Sequence, residues 1–334
     1  MKIISKILLA TLVVLLVSIG VAKYLLTQPV GNEPTTFVIA KGETVKQVAD
    51  KLLAEGLIKN YTLFRYYLWL TGKENKLIAA RHQIPADVNL AELVSLLTSK
   101  LKADEITIRF IEGWTIADIA DYLVKEGVID LPEEFVQRAK VEYFHDRYDF
   151  LPKAAEQESL EGYLFPDTYR VFVDATVDDI IVKMLDNFGK KTDELRRKVD
   201  EQGKNFRDVV ILASILEKEV KSEDDMKIAA DIFWRRLKVG MLLQADSTLN
   251  YFTGGDNPSL TAKELEIDSP YNSYKYKGLP PTPISNPGLK ALTAAVYPTP
   301  NDYWYFLTDR QGKAYFAKTL AEHNANKRKY LQKQ

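Results

Sequence analysis

Apolar residues recur at three- and four-residue steps from Val209 to Val220, which is the spacing of one buried face of a helix. The pattern therefore predicts a core helix over this stretch. Two carboxylates, Glu217 and Glu219, lie near its C-terminal end. At about 100° per residue they point roughly 200° apart, on opposite flanks of the apolar face. We therefore expect the two glutamates to have different surroundings.

The sequence neighbours of the two glutamates predict different chemistry. Ile215 lies one turn before Glu219 and Glu223 lies one turn after it. Both an apolar neighbour and a like charge disfavour an ionised carboxyl, so Glu219 is a candidate general acid with a raised pKa. Glu217 has Lys221 four residues ahead, as in a surface Glu–Lys pair, and we interpret it as a helix-surface residue. The alternative is that both glutamates are solvated helix charges.

The N-terminus has the pattern of a membrane segment. A mostly apolar run extends from Ile7 to Ala22 and, after one lysine, continues to Leu26, giving about 30 Å of helix, enough to cross a bilayer. Basic residues before the run keep the N-terminus cytoplasmic. We predict a single-pass anchor in the inner (plasma) membrane over 1–26, then a polar linker over 27–34. A signal peptide cleaved after Ala22 is the alternative; in both cases the bulk of the protein is exported and extracytoplasmic.

A strand–turn–helix pattern occurs twice in the chain. The stretch Phe37–Ile58 returns as Ile108–Ile129, with matching Gly, Thr, Ala-Asp and Glu-Gly positions. Each copy predicts a strand, a glycine turn, a threonine N-cap and an amphipathic helix. The first copy resembles the start of a LysM-type module, a class that binds N-acetylglucosamine polymers. The alternative is a duplicated packing unit without a ligand. We predict a LysM-like domain over 35–102 and a second domain over 103–334 that begins with the second copy.

The C-terminal half is mainly helical, with one long irregular segment. Helical periodicity covers Asp178–Glu201, and Ser222 caps a further helix. By contrast, Tyr271–Gly288 is crowded with Pro, Gly, Asn and Ser, which predicts a long loop of the kind that carries function. Two aromatic stretches around Gly312 predict a hairpin. The expected fold class is α+β: one transmembrane helix, a small LysM-like αβ module, and a larger α+β domain that carries the glutamate helix.

Composition excludes several classes of function. The 334 residues are 46% hydrophobic and 27% charged, as in ordinary globular proteins. A net charge of −1 gives no electrostatic case for a nucleic-acid partner. The chain has no cysteine and three histidines, which argues against disulfides, thiolate metal sites and histidine-rich metal centres. We therefore expect neither a metal nor a cofactor.

Four motifs carry a resemblance to a known family. These motifs, ASILEKE, LQADSTLNY, YNSYKYKGLPPTPISNPG and EGYLFPDTY, together with the N-terminal run, resemble the endolytic murein transglycosylases (the MltG or YceG-like family). The resemblance implies that Glu219 is catalytic. The chain departs from the family pattern at Val220, where the family often has threonine, and at Ser247, where it has proline. The predicted substrate-binding residues are Gln244, Asp246, Thr248, Tyr271, Asn272 and Asn286.

The resemblance also implies a reaction. The enzyme is expected to cut nascent peptidoglycan at internal positions of the glycan strand, between N-acetylmuramic acid and N-acetylglucosamine. The cleavage is expected near the peptidoglycan synthases. The C6 hydroxyl of the muramic acid attacks C1, leaving a 1,6-anhydro end, so that Glu219 alone can act as acid and then as base. Two alternatives stay open: a hydrolase that pairs Glu219 with Asp246, and a non-catalytic scaffold that binds peptidoglycan at the membrane.

Overall fold

The computed structural model describes residues 27–30, 33–40, 42–98, 105–173, 175–255 and 260–331. The apolar run predicted as a membrane anchor lies outside these residues. Within the described ranges, no helix is long and apolar enough to cross a bilayer. The chain divides into two compact units, residues up to 105 with 172–174, and residues 106–171 with the remainder from 175 onwards.

The described residues of the N-terminal unit combine short strands with three helices: β1 (Pro29–Val30), β2 (Thr35–Val38), α1 (Val45–Ala54), α2 (Tyr61–Leu70), β3 (Arg81–Ile84), β4 (Val88–Asn89) and α3 (Leu90–Thr98). Strand β2 pairs antiparallel with β3, placing Phe37 opposite His82, and β1 pairs antiparallel with β4. The core of this unit includes Phe37, Leu52, Phe64 and Leu93, all fully buried. His82 is also buried, and its two ring nitrogens contact backbone carbonyl oxygens, so it serves the packing of the unit.

The larger unit is mainly helical: β5 (Glu105–Arg109), α4 (Ile116–Lys125), α5 (Pro132–Arg138), a 3₁₀ turn (Val141–Tyr143), β6 (Thr168–Phe172), α6 (Val177–Glu201), α7 (Phe206–Glu219), α8 (Glu223–Lys238), α9 (Asp246–Thr253), α10 (Ala262–Leu265), α11 (Leu289–Val296), β7 (Tyr305–Thr308), β8 (Ala314–Ala317) and α12 (Leu320–Tyr330). Strand β5 pairs with β6, and β7 pairs antiparallel with β8 in the predicted hairpin. This mixture of helices and strands confirms the α+β class.

Helix α7 lies at the centre of the larger unit. The sequence predicted one buried face, but every side chain from Val209 to Leu216 is buried. The reason is that α6, α8 and α11 pack around it, so its nearly continuous apolar sequence has no solvent face over these two turns. The helix ends at Glu219, because Val220 has an extended backbone with φ −139° and a buried side chain.

The two strand–turn–helix copies have the same local structure. Gly42 and Gly113 both have positive φ, 88° and 81°, which only glycine adopts without strain. Thr44 and Thr115 then cap α1 and α4, and in each case a capping box closes the first turn. The predicted duplication of this unit is confirmed at the level of turn and cap.

Candidate active site

A cleft of about 1380 Å³ runs across the larger unit. Its wall combines the C-terminal end of α7, the start of α9, the loop around Tyr274, the β7–β8 hairpin and one side of α12. Six carboxylic residues line it: Asp118, Glu161, Glu217, Glu219, Asp246 and Asp309. A volume of this order accommodates several sugar rings and exceeds that of a typical small-molecule site.

Glu219 is the last residue of α7, and its side chain is partly buried in the wall of the cleft. Burial raises the pKa of this carboxyl, and the neighbouring Asp246 carboxyl raises it further. The backbone N–H of Ser247 donates to Glu219 Oε1 at 3.2 Å, which acts in the opposite direction. Thr308 Oγ1 donates to the Glu219 carbonyl oxygen at 2.8 Å, so the hairpin fixes the backbone at this residue. The environment predicted for Glu219, apolar and beside a like charge, is present, although the like charge is Asp246 and not Glu223.

Asp246 is the first residue of α9, directly before the amide that contacts Glu219. The phenol of Tyr274 donates to Asp246 Oδ1 at 2.5 Å. Burial raises the pKa of Asp246, whereas this hydrogen bond and the nearby Lys327 ammonium lower it. Asp246 is thus a second carboxyl beside Glu219, with its own donor.

Glu217 is not the solvated surface residue that its position before Lys221 suggested. Its side chain is partly buried, and Oε2 accepts the backbone N–H of Gly288 at 2.9 Å. Burial, reinforced by the carboxyl of Glu112, raises the pKa of Glu217 to about 7. Helical spacing did not predict this contact, because Gly288 is 71 residues away from Glu217 along the chain.

Glu161 lines the far part of the cleft and was not among the predicted site residues. Its side chain is only 3% exposed, and burial raises its pKa to about 8. Oε1 accepts from Asn286 Nδ2 at 2.8 Å, and Oε2 accepts from the Ile116 amide and, at 3.4 Å, from the Tyr251 hydroxyl. The sequence signal that could have found it is a carboxylate at the start of an aromatic segment, with no basic residue within four positions on either side.

The predicted substrate-binding residues fall into two groups. Gln244 and Asp246 line the cleft, and Gln244 is exposed with a positive φ of 54°. Thr248, Asn272 and Asn286 are buried, with 0%, 0% and 1% exposure. The structure therefore brings two of the six predicted residues together with Glu219 along one wall. Tyr271 is partly buried, and its hydroxyl contacts Thr282 Oγ1 at 2.7 Å.

The buried predicted residues, Thr248, Asn272 and Asn286, form hydrogen bonds with backbone groups of the protein. Asn286 Oδ1 accepts the amides of Gly162 and Leu164, and its Nδ2 donates to the Trp114 carbonyl oxygen. Asn272 Nδ2 donates to two carbonyl oxygens in the segment that follows α10, and Thr248 Oγ1 donates to Ala245. These side chains hold the loops that form the cleft.

The described residues contain no group of three or more His, Cys, Asp or Glu side chains that could hold a metal ion. The cleft wall itself presents carboxyl, hydroxyl, amide, ammonium, guanidinium and imidazole groups. A partly buried carboxyl with a raised pKa, in the wall of a cleft of this size, has the properties of a general acid.

Comparison with known proteins agrees with this chemistry. The model of the YceG-like family matches residues 37–329. A protein of Bacillus subtilis (strain 168) named endolytic murein transglycosylase is 32% identical over 318 residues, which cover 92% of this chain and 88% of the relative. A protein of the same name from Streptococcus pneumoniae serotype 2 is 29% identical over 318 residues, covering 87% of this chain and 57% of the relative.

A solved structure is also similar. The crystal structure of a yceG-like protein from Listeria monocytogenes has 31% sequence identity and a TM-score of 0.60, and the match covers 88% of this chain and 99% of that one. The family model spans most of the chain, and this chain belongs to the YceG-like family.

Proposed function

We propose that this chain is an endolytic murein transglycosylase, a lyase that cuts the glycan strands of peptidoglycan at internal positions. One observation carries the proposal: Glu219 lies in the wall of a 1380 Å³ cleft with a carboxyl whose pKa is raised by burial. The relatives from Bacillus subtilis and Streptococcus pneumoniae are named endolytic murein transglycosylases, and they align over most of this chain. Murein lies outside the cytoplasm, so this function places the larger unit on the extracytoplasmic side.

The reaction needs one proton donor and one internal nucleophile. Protonated Glu219 gives its proton to the oxygen between muramic acid and glucosamine, and the C1–O bond breaks. The C6 hydroxyl of the same muramic acid then bonds to C1 and loses its proton to the Glu219 carboxylate. The product is a 1,6-anhydro end, and Glu219 is protonated again. The Ser247 amide stabilises the carboxylate between the two steps, because it donates to Oε1.

The remaining predicted residues receive different parts in this proposal. Gln244 and Asp246 line the cleft beside Glu219 and are proposed to contact the sugar ring and its acetamide. Thr248, Asn272 and Asn286 are proposed to act through the loops they hold, because their polar atoms already bond to protein groups. Tyr271 is proposed to support the same wall by its contact with Thr282.

The N-terminal part of the chain would place this reaction at the membrane. Residues 1–26 are proposed to be a single-pass anchor with the N-terminus in the cytoplasm, supported by their apolar sequence. Residues 35–102 are proposed to be a LysM-like domain that contacts glycan, and 103–334 to be the catalytic domain. Such an arrangement would bring cleavage close to the synthases that extend the strands, and would end their elongation.

Product analysis of the full-length protein in detergent micelles on uncrosslinked glycan strands tests this function. Wild type should release fragments with 1,6-anhydro ends. Glu219→Gln should lose at least about 100-fold in rate, the usual contribution of a general acid, while its circular dichroism and its binding to sacculi stay unchanged. Glu217→Gln is the matched control, because glutamine still accepts the Gly288 amide.

Three results would contradict the proposal. Activity retained in Glu219→Gln but lost in Glu217→Gln would transfer the acid to Glu217. Products one water heavier than the anhydro ends would identify a hydrolase. Binding to sacculi without any soluble fragment from wild type would identify a scaffold.

A further inference from the structure

We propose that Tyr274 is a positioning residue of the cleft: its hydroxyl holds Asp246 as an ionised carboxylate beside Glu219 and so keeps Glu219 protonated for the first step. This inference rests on the proposed function. Tyr274 Oη lies 2.5 Å from Asp246 Oδ1, within the range of hydrogen bonds from a hydroxyl to an ionised carboxylate. The next residue, Ser247, donates its amide to Glu219. Because Asp246 and Ser247 are adjacent, a single peptide bond connects the Tyr274–Asp246 pair to the amide that contacts the proposed acid.

The backbone that carries Tyr274 is held by contacts that do not involve its hydroxyl. Asn272 Oδ1 accepts the Tyr274 amide at 3.1 Å. Between them, Ser273 contacts the residues before α9 twice, since its carbonyl oxygen accepts from the Gln244 amide and its Oγ accepts from the Ala245 amide. The loop is thus joined to the N-terminal end of α9 by backbone contacts. Removal of the Tyr274 hydroxyl alone should leave the loop in place.

Several other titratable or charged groups line the cleft from the elements around Glu219. Arg236 of α8 is committed to the carbonyl oxygens of Leu243 and Trp304. On α12, burial lowers the pKa of His323 to about 4, so this imidazole is neutral at pH 7. The titratable and charged groups of the cleft wall, besides Glu219, are Asp118 of α4, Glu161, Glu217, Lys218 and Lys221 of α7 and its C-terminal extension, Arg236 of α8, Asp246 and Tyr251 of α9, Tyr274 of the loop, Tyr305, Asp309 and Arg310 of the hairpin, and His323 and Lys327 of α12.

Among these groups, Asp246 is the one whose charge raises the pKa of Glu219. The effect requires Asp246 to be ionised, because a neutral carboxyl does not repel the Glu219 carboxylate. Burial opposes that ionisation, whereas the Tyr274 hydroxyl and Lys327 favour it. Loss of the hydroxyl therefore raises the pKa of Asp246 further, weakens the ionised form that repels the Glu219 carboxylate, and lowers the pKa of Glu219.

The chain offers a matched control for this test. Tyr276 lies two residues further along the loop, and its hydroxyl donates to Asp268 at 2.5 Å. This side chain is 45% exposed and is not part of the cleft wall. Tyr276→Phe thus removes a Tyr–Asp hydrogen bond of the same length without affecting the environment of Glu219.

The experiment measures the pH dependence of kcat and of kcat/KM for release of anhydro ends by the full-length protein. The variants are Tyr274→Phe, Asp246→Asn, the double variant and Tyr276→Phe. In the first two, the limb on which activity falls with rising pH should move about one unit lower. In Tyr274→Phe, kcat at a pH above this limb should then fall roughly tenfold with KM nearly unchanged. Asp246→Asn should in addition raise KM, because Asp246 is proposed to contact the sugar. The double variant should move the limb no further than Asp246→Asn, because the Tyr274 hydroxyl acts through the charge that this substitution removes.

Two outcomes would overturn the inference. In one, Tyr274→Phe has the pH profile of Tyr276→Phe. In the other, it loses thermal stability while its falling limb stays where it is in wild type. If Glu219→Gln is inactive and the limb of Tyr274→Phe is unshifted, the proposed function survives and this inference alone fails. If Glu219→Gln is active, the proposed function fails whatever Tyr274→Phe does.

Discussion

The amide of Ser247 gives the most direct test of how Glu219 is tuned. It donates to Glu219 Oε1 at 3.2 Å, and this contact favours the ionised carboxyl. Ser247→Pro removes the donor. The residue lies in the first turn of α9, where an amide has no partner within the helix and proline is tolerated. Proline is also the residue that the family resemblance implies at this position.

The size of the effect follows from the geometry. A hydrogen bond to a charged group contributes about 1.5–3 kcal/mol, and one pKa unit corresponds to about 1.4 kcal/mol. Because 3.2 Å is at the long end of the range for an N–H···O bond, we expect a shift of about one unit. The sign is upward, since the variant disfavours only the ionised form. The falling limb of the pH profile should therefore move about one unit higher in Ser247→Pro.

Ser247→Ala is the matched control, because it keeps the amide and removes only the hydroxyl. Ser247 Oγ is buried and lacks a hydrogen-bond partner within the described chain, so its loss should change stability little. The assay is the pH profile of anhydro-end release, with circular dichroism melting to confirm folding. Identical falling limbs in the proline and alanine variants, both folded, would refute a role for this amide in tuning Glu219.

Two further predictions concern stability. Gly162 has φ +91°, and a Cβ there would lie 2.5 Å from Pro283, whereas Gly42 has φ +88° and open space. Gly162→Ala should therefore lose more stability in urea unfolding than Gly42→Ala, by about 1–3 kcal/mol for the added overpacking; equal losses would contradict the close approach. Burial raises the pKa of Glu161 to about 8 from an ordinary 4.5. Between these pH values the folded state binds more protons than the unfolded state. The free energy of unfolding therefore falls as pH rises, by up to about 1.4 kcal/mol per pH unit. Glu161→Gln should flatten this decline in urea unfolding at pH 5, 6.5 and 8, and an unchanged slope would contradict the assignment.

Local sequence pattern was sufficient to locate α7 and to predict a partly buried carboxyl with a raised pKa at Glu219. Helical periodicity and the burial of one face depend on residues within a turn or two, and these are read directly from the sequence. The same pattern did not predict that Glu161 and Glu217 are buried and hydrogen-bonded. Their partners, Asn286 and Gly288, lie 125 and 71 residues away, and such contacts are set by how the helices pack.

The amide side chains show a second limit of sequence reasoning. Asn272 and Asn286 were predicted to bind sugar because amides suit hydroxyls and acetamides. An irregular loop, however, has backbone N–H and C=O groups without regular partners, and these need the same side chains. Asn286 alone satisfies the amides of Gly162 and Leu164 and the Trp114 carbonyl oxygen. Composition cannot distinguish the two uses, because both select asparagine at the same kind of loop position.

The different roles of Glu217 and Glu219 follow from where α7 ends. Both lie in the last turn of the helix, where the negative end of the helix dipole and burial disfavour a carboxylate. Glu217 is turned towards Gly288 and holds the wall of the cleft. Glu219 instead faces the start of α9, whose dipole has the opposite sign and whose Ser247 amide favours the carboxylate. A carboxyl placed between the end of one helix and the start of another has both of its protonation states stabilised. This balance suits the role proposed for Glu219, in which one residue gives a proton and then takes one back.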